Sequence, residues 1–114
     1  MEAKVVVFSK GHPVYCTATG NQLRIDGQLI YEGSYADGYA EGNGTYFADG
    51  KKTYEGQFSK GRPHGKGRSF FAETQTLKYE GHYNQSFYEG PGTSFYESGQ
   101  KRFKGTFKHG LRSG

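Results

Sequence analysis

Aliphatic side chains are scarce in this sequence. Leu, Ile and Val together fill ten of 114 positions, and Trp is absent. Even with Phe added, the large apolar set is under a fifth of the chain, a level at which disorder becomes a candidate. Cysteine is nearly missing too: Cys16 stands alone, so no internal disulfide and no Cys-based zinc site can form. Its neighbours Tyr15 and Thr17 do not provide the basic, exposed setting of a reactive thiol, and it reads as a small strand residue. Nothing requires an oxidising compartment, and a cytoplasmic location is expected. Long apolar runs are also lacking. The longest is Val5-Val6-Val7-Phe8, far short of the roughly 18 residues of a membrane helix. The opening Met1-Glu2 leads into no signal-peptide core.

In their place the chain has 19 Gly, 10 Tyr and 9 Phe. Disordered chains are poor in aromatics, so this one has something to bury. Gly costs about 1 kcal/mol at each helix-interior position relative to Ala, which nearly excludes a helical protein. The length is that of one domain. Net charge is +4 but unevenly spread. Residues 1–50 carry three basic and six acidic side chains, and residues 51–114 carry twelve and five. Lys101, Arg102, Lys104, Lys108 and Arg112 all follow the last acid, Glu97, and form a candidate patch for an anionic lipid surface.

An internal repeat governs the chain. Tyr31-Glu32-Gly33-Ser34-Tyr35 recurs as Tyr54-Glu55-Gly56-Gln57-Phe58, Tyr79-Glu80-Gly81-His82-Tyr83 and Phe103-Lys104-Gly105-Thr106-Phe107, at spacings of 23, 25 and 24 residues. Eleven residues after each opening aromatic stands Gly42, Gly65, Gly90 or Gly114. The first three continue as Gly-x-Gly, through Gly44, Gly67 and Gly92, and three residues later come Phe47, Phe70 and Phe95. The units are 31–53, 54–78, 79–102 and a partial 103–114. Phe8-Ser9-Lys10-Gly11-His12-Pro13 matches Phe58-Ser59-Lys60-Gly61-Arg62-Pro63, so residues 1–30 read as a worn capping repeat. The last unit stops at Gly114, and the chain is expected to be a piece of something longer.

Each unit reads as two short strands with alternating apolar and polar residues. Asp49-Gly50 is a two-residue hairpin loop, and Asp26-Gly27 stands in the same phase. That loop places Thr45 opposite Tyr54. A two-residue loop at Thr74-Gln75 sets Phe70 opposite Tyr79, and a three-residue loop at 98–100 sets Phe95 opposite Phe103. One face then carries Phe47, Phe70 and Phe95 together with Tyr31, Tyr35, Tyr54, Phe58, Tyr79, Tyr83, Phe103 and Phe107, with Gly33, Gly56, Gly81 and Gly105 among them. Leu23, Ile25 and Ile30 fall on the opposite face. With no helix to cover the rings, the expected fold is all-β: a single-layer, elongated, twisted antiparallel sheet of β-hairpin repeats, curled into an aromatic-lined groove. Rings lying over bare Gly backbone restore the packing that Gly lacks.

The repeat of Tyr-Glu-Gly-x-Tyr/Phe, Gly-x-Gly and an Asp/Gly turn resembles the MORN repeat (membrane occupation and recognition nexus). Gly61-Arg62-Pro63-His64-Gly65-Lys66-Gly67 is the stretch nearest the family pattern. The family often has Trp where this chain has Tyr35, Phe58, Tyr83 and Phe107, and 39–41 and 87–89 lack the basic-His-Gly signature. The resemblance implies an array of hairpins without enzymatic activity, serving as a scaffold, self-associating, or binding partner segments or phosphoinositides.

The remaining chemistry is sparse. Gly-x-Gly is followed by a strand rather than a helix, so it is a turn and not a phosphate loop. His12, His64, His82 and His109 never fall at ligand spacing, so no metal is expected. No nucleophile–base–acid set or paired carboxylates stand out, so neither catalysis nor a cofactor is expected. The aromatics follow the repeat as core, which argues against nucleic acid, and the lack of Trp argues against choline- or wall-binding cages. The expected function is a non-catalytic protein-interaction or assembly scaffold. Its groove, formed by Tyr31, Tyr35, Tyr54, Phe58, Tyr79, Tyr83, Phe103 and Phe107, takes a peptide or helix, or the chain self-associates. The alternative is a peripheral module, membrane-associated through the basic C-terminal half.

Overall fold

Among the described residues each strand pairs with the next as a hairpin, and one sheet results. The computed structural model describes residues 4–9 and 11–113. The strands are β1 (Lys4–Ser9), β2 (His12–Thr19), β3 (Gln22–Ile25), β4 (Gln28–Ala36), β5 (Tyr39–Ala48), β6 (Lys51–Ser59), β7 (Arg62–Phe70), β8 (Leu77–Asn84), β9 (Phe87–Phe95), β10 (Lys101–Lys108) and β11 (Leu111–Ser113). They lie side by side in chain order, each antiparallel to the next. Lys10 and Gly114 lie outside the described residues. Among those described, no helix is long and apolar enough to cross a membrane.

The dimensions are 49 × 26 × 20 Å. The longest strand, β5 with ten residues, spans about 34 Å, so the long axis runs across the strands. A flat single layer would be only about 10 Å thick. The 20 Å thickness is that of a sheet twisted and curled around its inner face. Asp26-Gly27 (φ 51° and 81°) and Asp49-Gly50 (φ 51° and 76°) both make two-residue loops with two positive φ angles, the geometry that matches strand twist.

The pairing differs from the sequence expectation by one residue in every unit. Ala48 faces Lys51 and Phe47 faces Lys52, but Tyr54 then faces Tyr46, not Thr45. Tyr79 faces Ser69 while Phe70 faces Leu77. Phe103 faces Ser94 while Phe95 faces Lys101. Tyr31 faces Leu23 while Arg24 faces Leu29. A β-bulge causes each shift. It absorbs the residue just before the repeat aromatic: Ile30, Thr53, Lys78 or Arg102. Because strand faces alternate, one extra residue exchanges inside and outside. Leu23 therefore joins the core, fully buried. Phe47, Phe70 and Phe95 turn to the outer face, where Lys52 Nζ sits 4.4 Å above the Phe70 ring. The inner row across the sheet is Leu23, Tyr31, Tyr46, Tyr54, Ser69, Tyr79, Ser94 and Phe103.

Two loops also differ from expectation. Phe71 N–H donates to Thr76 O (2.9 Å) and Tyr96 N–H to Gln100 O (2.9 Å), so the loops are 72–75 and 97–99. The worn first unit keeps the register of its match: Phe8 faces Pro13 as Phe58 faces Pro63. β1 then does something no other strand does. It returns across the ribbon and pairs in parallel with β5 at Val6 and Tyr39, closing the first five strands into a ring. Val5, Val7, Cys16, Leu23 and Ala40 are buried at this end.

Candidate interaction surface

The repeat markers resolve into one packing unit. Directly across β4 to β10 runs a row of glycines: Gly33, Gly44, Gly56, Gly67, Gly81, Gly92 and Gly105. Tyr31, Tyr54 and Tyr79 lay their rings over it. A Cβ on Gly44, Gly67 or Gly92 would overlap the ring of Tyr31, Tyr54 or Tyr79 respectively. Each tyrosine hydroxyl then donates to the backbone three residues on: Tyr31 to Ser34 O (2.6 Å), Tyr54 to Gln57 O (2.7 Å) and Tyr79 to His82 O (2.8 Å). A ring can cover the row because its hydroxyl is satisfied there. Burial raises the hydroxyl pKa of all three, to about 12 for Tyr31 and Tyr79.

The rings also contact one another in a continuous zigzag. Tyr31 meets Phe58 edge-to-face at 4.9 Å and Phe58 meets Tyr54 at 5.1 Å. Tyr54 meets Tyr83 at 4.9 Å, and Tyr83 meets Tyr79 at 5.2 Å. Tyr79 meets Phe107 at 5.2 Å and Phe107 meets Phe103 at 5.3 Å. Tyr54 and Tyr79 thus each touch the second aromatic of their own unit and of the next. Each such pair adds about 0.5–1.5 kcal/mol beyond area burial. Of the eight residues that the sequence assigns to a partner groove, Tyr31, Tyr54, Phe58, Tyr79, Tyr83 and Phe107 are buried in this ladder. Tyr35 and Phe103 are half-buried beside it. Tyr35 leaves the zigzag and donates instead to Gly20 O (2.7 Å).

A second periodic device was hidden by its varied residue types. Lys60 N–H donates to Glu41 Oε1 (3.1 Å), Gln85 N–H to His64 Nδ1 (3.3 Å) and His109 N–H to Glu89 Oε1 (3.3 Å). Residues 41, 64 and 89 share one repeat position. The donors Lys60, Gln85 and His109 are the left-handed residues (φ 48–50°) of the next hairpin loop. Glu41 and Glu89 therefore do the work of the signature His64. Backbone bonds reinforce the link, from Gly61 N–H to Ala40 O (2.8 Å), Ser86 N–H to Pro63 O (2.9 Å) and Gly110 N–H to Tyr88 O (2.9 Å). Tyr88 was missed as well. It stacks on Tyr79 at 3.7 Å and 6°, filling the inner face where other units have Ala40 and Pro63.

The outer face carries charged side chains beside Phe47, Phe70 and Phe95. Arg68 lies between Glu55 (3.9 Å) and Glu80 (3.7 Å), and Lys52 reaches Glu55 (3.5 Å). All are solvent-exposed pairs, each worth little. Lys101, Arg102, Lys104 and Lys108 are exposed, and no acid of the described residues stands within ion-pair distance of them. Arg112 stands in β11, and its side chain lies outside the described residues. Burial pushes the Cys16 thiol up to about 11, against a smaller opposing pull from Lys4, so it is not poised to react. Among the described residues, no three His, Cys, Asp or Glu gather as metal ligands.

This is a hairpin-repeat module of one layer, its identity carried by Tyr, Gly and a loop acceptor in fixed phase. The MORN repeat pattern matches residues 31–52, 54–73, 79–101 and 103–114, and the chain belongs to the MORN repeat family. MORN repeats form non-enzymatic modules that engage proteins or membrane lipids. No curated protein matches the chain.

Proposed function

We propose that this chain is a non-catalytic interaction and assembly scaffold whose aromatic groove takes a peptide or helix of a protein partner, or supports self-association. The ring ladder carries this reading. From Phe58 to Phe107 each ring of the ladder is held by neighbours on both sides, so the surface it shapes is set before binding and little ordering cost remains. The buried six hold the shape. Tyr35 and Phe103, half-buried at its two ends, offer ring surface to a partner. Affinity capture with the intact chain tests this, comparing the natural sequence with the Tyr35→Ala/Phe103→Ala double variant. A protein held at physiological ionic strength and released by the double variant supports the groove. Capture that is identical for both chains removes it.

The exposed cations of β10 favour a second reading, an anionic lipid surface. Lys104 and Lys108 alternate with the inward Phe103 and Phe107 and so share the outer face. Attraction through them falls steeply between low and physiological salt, whereas a groove-bound partner persists. Sedimentation with phosphoinositide vesicles decides: binding unchanged by Arg102→Glu with Lys104→Glu ends this reading.

A further inference from the structure

The loops on one edge of the ribbon form a row: Asp37-Gly38, Lys60-Gly61, Gln85-Ser86 and His109-Gly110. Each is a two-residue loop entered through a left-handed residue, at intervals set by the repeat. Their last carbonyls, on Gly38, Gly61, Ser86 and Gly110, recur along this edge. The first two are occupied. β1 lies across them in extended form, with Val6 N–H donating to Gly38 O (2.8 Å) and Phe8 N–H to Gly61 O (2.9 Å). Val6 pairs with Tyr39, the residue after the first loop, and the Phe8 ring lies 4.1 Å from the Arg62 guanidinium, just after the second. The carbonyls of Ser86 and Gly110 accept no such bond among the described residues. Phe87, which holds the position of Tyr39 one pair of loops further on, is 52 % exposed, against 37 % for Tyr39 with Val6 beside it. Its described ring contact is the edge of His109 at 5.9 Å.

We infer that the loops Gln85-Ser86 and His109-Gly110, with Phe87 between them, form a docking site for an extended apolar segment of a protein partner, laid across them as β1 is laid across the first two. The molecule supplies its own precedent, because the same repeating edge already holds one such strand. The precedent also defines the chemistry. The segment needs free N–H groups two residues apart, to reach Ser86 O and Gly110 O. It needs an apolar side chain at the first of these, to cover Phe87. Main-chain bonds then give affinity and alternate side chains give specificity, as in other strand additions. A partner is the occupant rather than a second copy. The β1 strand of each copy is held by its own loops with Val5 and Val7 buried in the core, and lending it out would open that core. The inference rests on the reading of the chain as an interaction module, but its site is the loop edge and not the groove.

The test titrates a capped hexapeptide, Lys-Val-Val-Val-Phe-Ser, into the isotope-labelled full chain and follows backbone amide resonances. The expected result is a saturable shift at Ser86, Phe87, His109 and Gly110. Phe87→Ala, at an exposed position, weakens it about tenfold. A peptide with Pro at its third and fifth residues, lacking both donors, gives no saturable shift. The inference is overturned by no saturation with the first peptide, by equal binding of the proline peptide, or by shifts at Gly38 and Gly61 instead, which would mean exchange with β1. Dimerisation through Phe87 without peptide overturns it too, since a second copy would then cover the site. Phe87→Ala leaves Tyr35 and Phe103 intact, so failure here and failure of the groove are read separately.

Discussion

Between Tyr31 and Phe107 the inner face is filled by rings in edge-to-face contact; before Tyr31 it is filled by Val5, Val7, Cys16 and Leu23. The two regions face the same difficulty, an apolar face with no second layer behind it. The repeats meet it by stacking each Tyr on a bare Gly and bracing it with the next unit. At the first unit no earlier ring exists to brace Tyr31. There the chain folds β1 back over β5 and closes the gap with aliphatic side chains. A periodic interior thus needs a non-periodic end, and the end is where the ordinary kind of core appears.

The comparison is sharpest at the largest side chains. Tyr79→Ala removes a ring packed against Phe107, Tyr83 and Tyr88 and uncovers Gly92, and it should cost about 4 kcal/mol in urea unfolding. Leu23→Ala at the closed end should cost about 3 kcal/mol but leave the spectrum of residues 79–107 unchanged. If both perturb the whole chain alike, the two regions are one core. Glycines come next. Gly67→Ala drives a methyl into the Tyr54 ring and should cost about 2–3 kcal/mol. Gly27→Ala, at φ +81° with open space around it, strains only the backbone and should cost about 1 kcal/mol. Equal costs would break the idea that ring-over-glycine contact sets the repeats apart.

Alkali probes the ladder through its hydroxyls. Tyr31 and Tyr79 ionise near 12 when folded and near 10 when unfolded. Above the unfolded value the unfolded chain has lost protons that the native chain keeps, so stability is full below pH 10 and falls as pH rises towards 12. Circular dichroism should show unfolding coupled to tyrosinate absorbance, and Tyr31→Phe should flatten that slope. The smallest effect is expected at the loop latch. Glu41→Ala removes the acceptor for Lys60 N–H at an exposed site and should cost about 0.5–1 kcal/mol, measurable in the same unfolding series.

Much of this architecture was legible in the residues. Spacing showed the units, Asp-Gly pairs marked two hairpins, and the Tyr-Gly alternation placed rings over bare backbone. The bulge was not legible. Ile30, Thr53, Lys78 and Arg102 share no chemistry, because a bulge asks for an extra backbone residue and not for a side-chain type. Missing it sent Phe47, Phe70 and Phe95 to the wrong face and left Leu23 unexplained. The return of β1 was hidden for a related reason: Val5 to Phe8 reads as a strand, but nothing in it names β5 as partner. At the loop latch, Glu41, His64 and Glu89 look unrelated until their shared capacity to accept a hydrogen bond is seen.

The ring zigzag reaches one unit ahead and no further. Its energy is therefore a sum of local terms, each set by one unit and its neighbour. Adding or deleting a unit between Tyr31 and Phe107 changes the reach of the ribbon by two strand widths, roughly 10 Å, and disturbs no contact beyond the junction. Length in such a chain is a quantity that gene duplication can adjust in whole steps, a molecular ruler whose divisions are already self-sufficient.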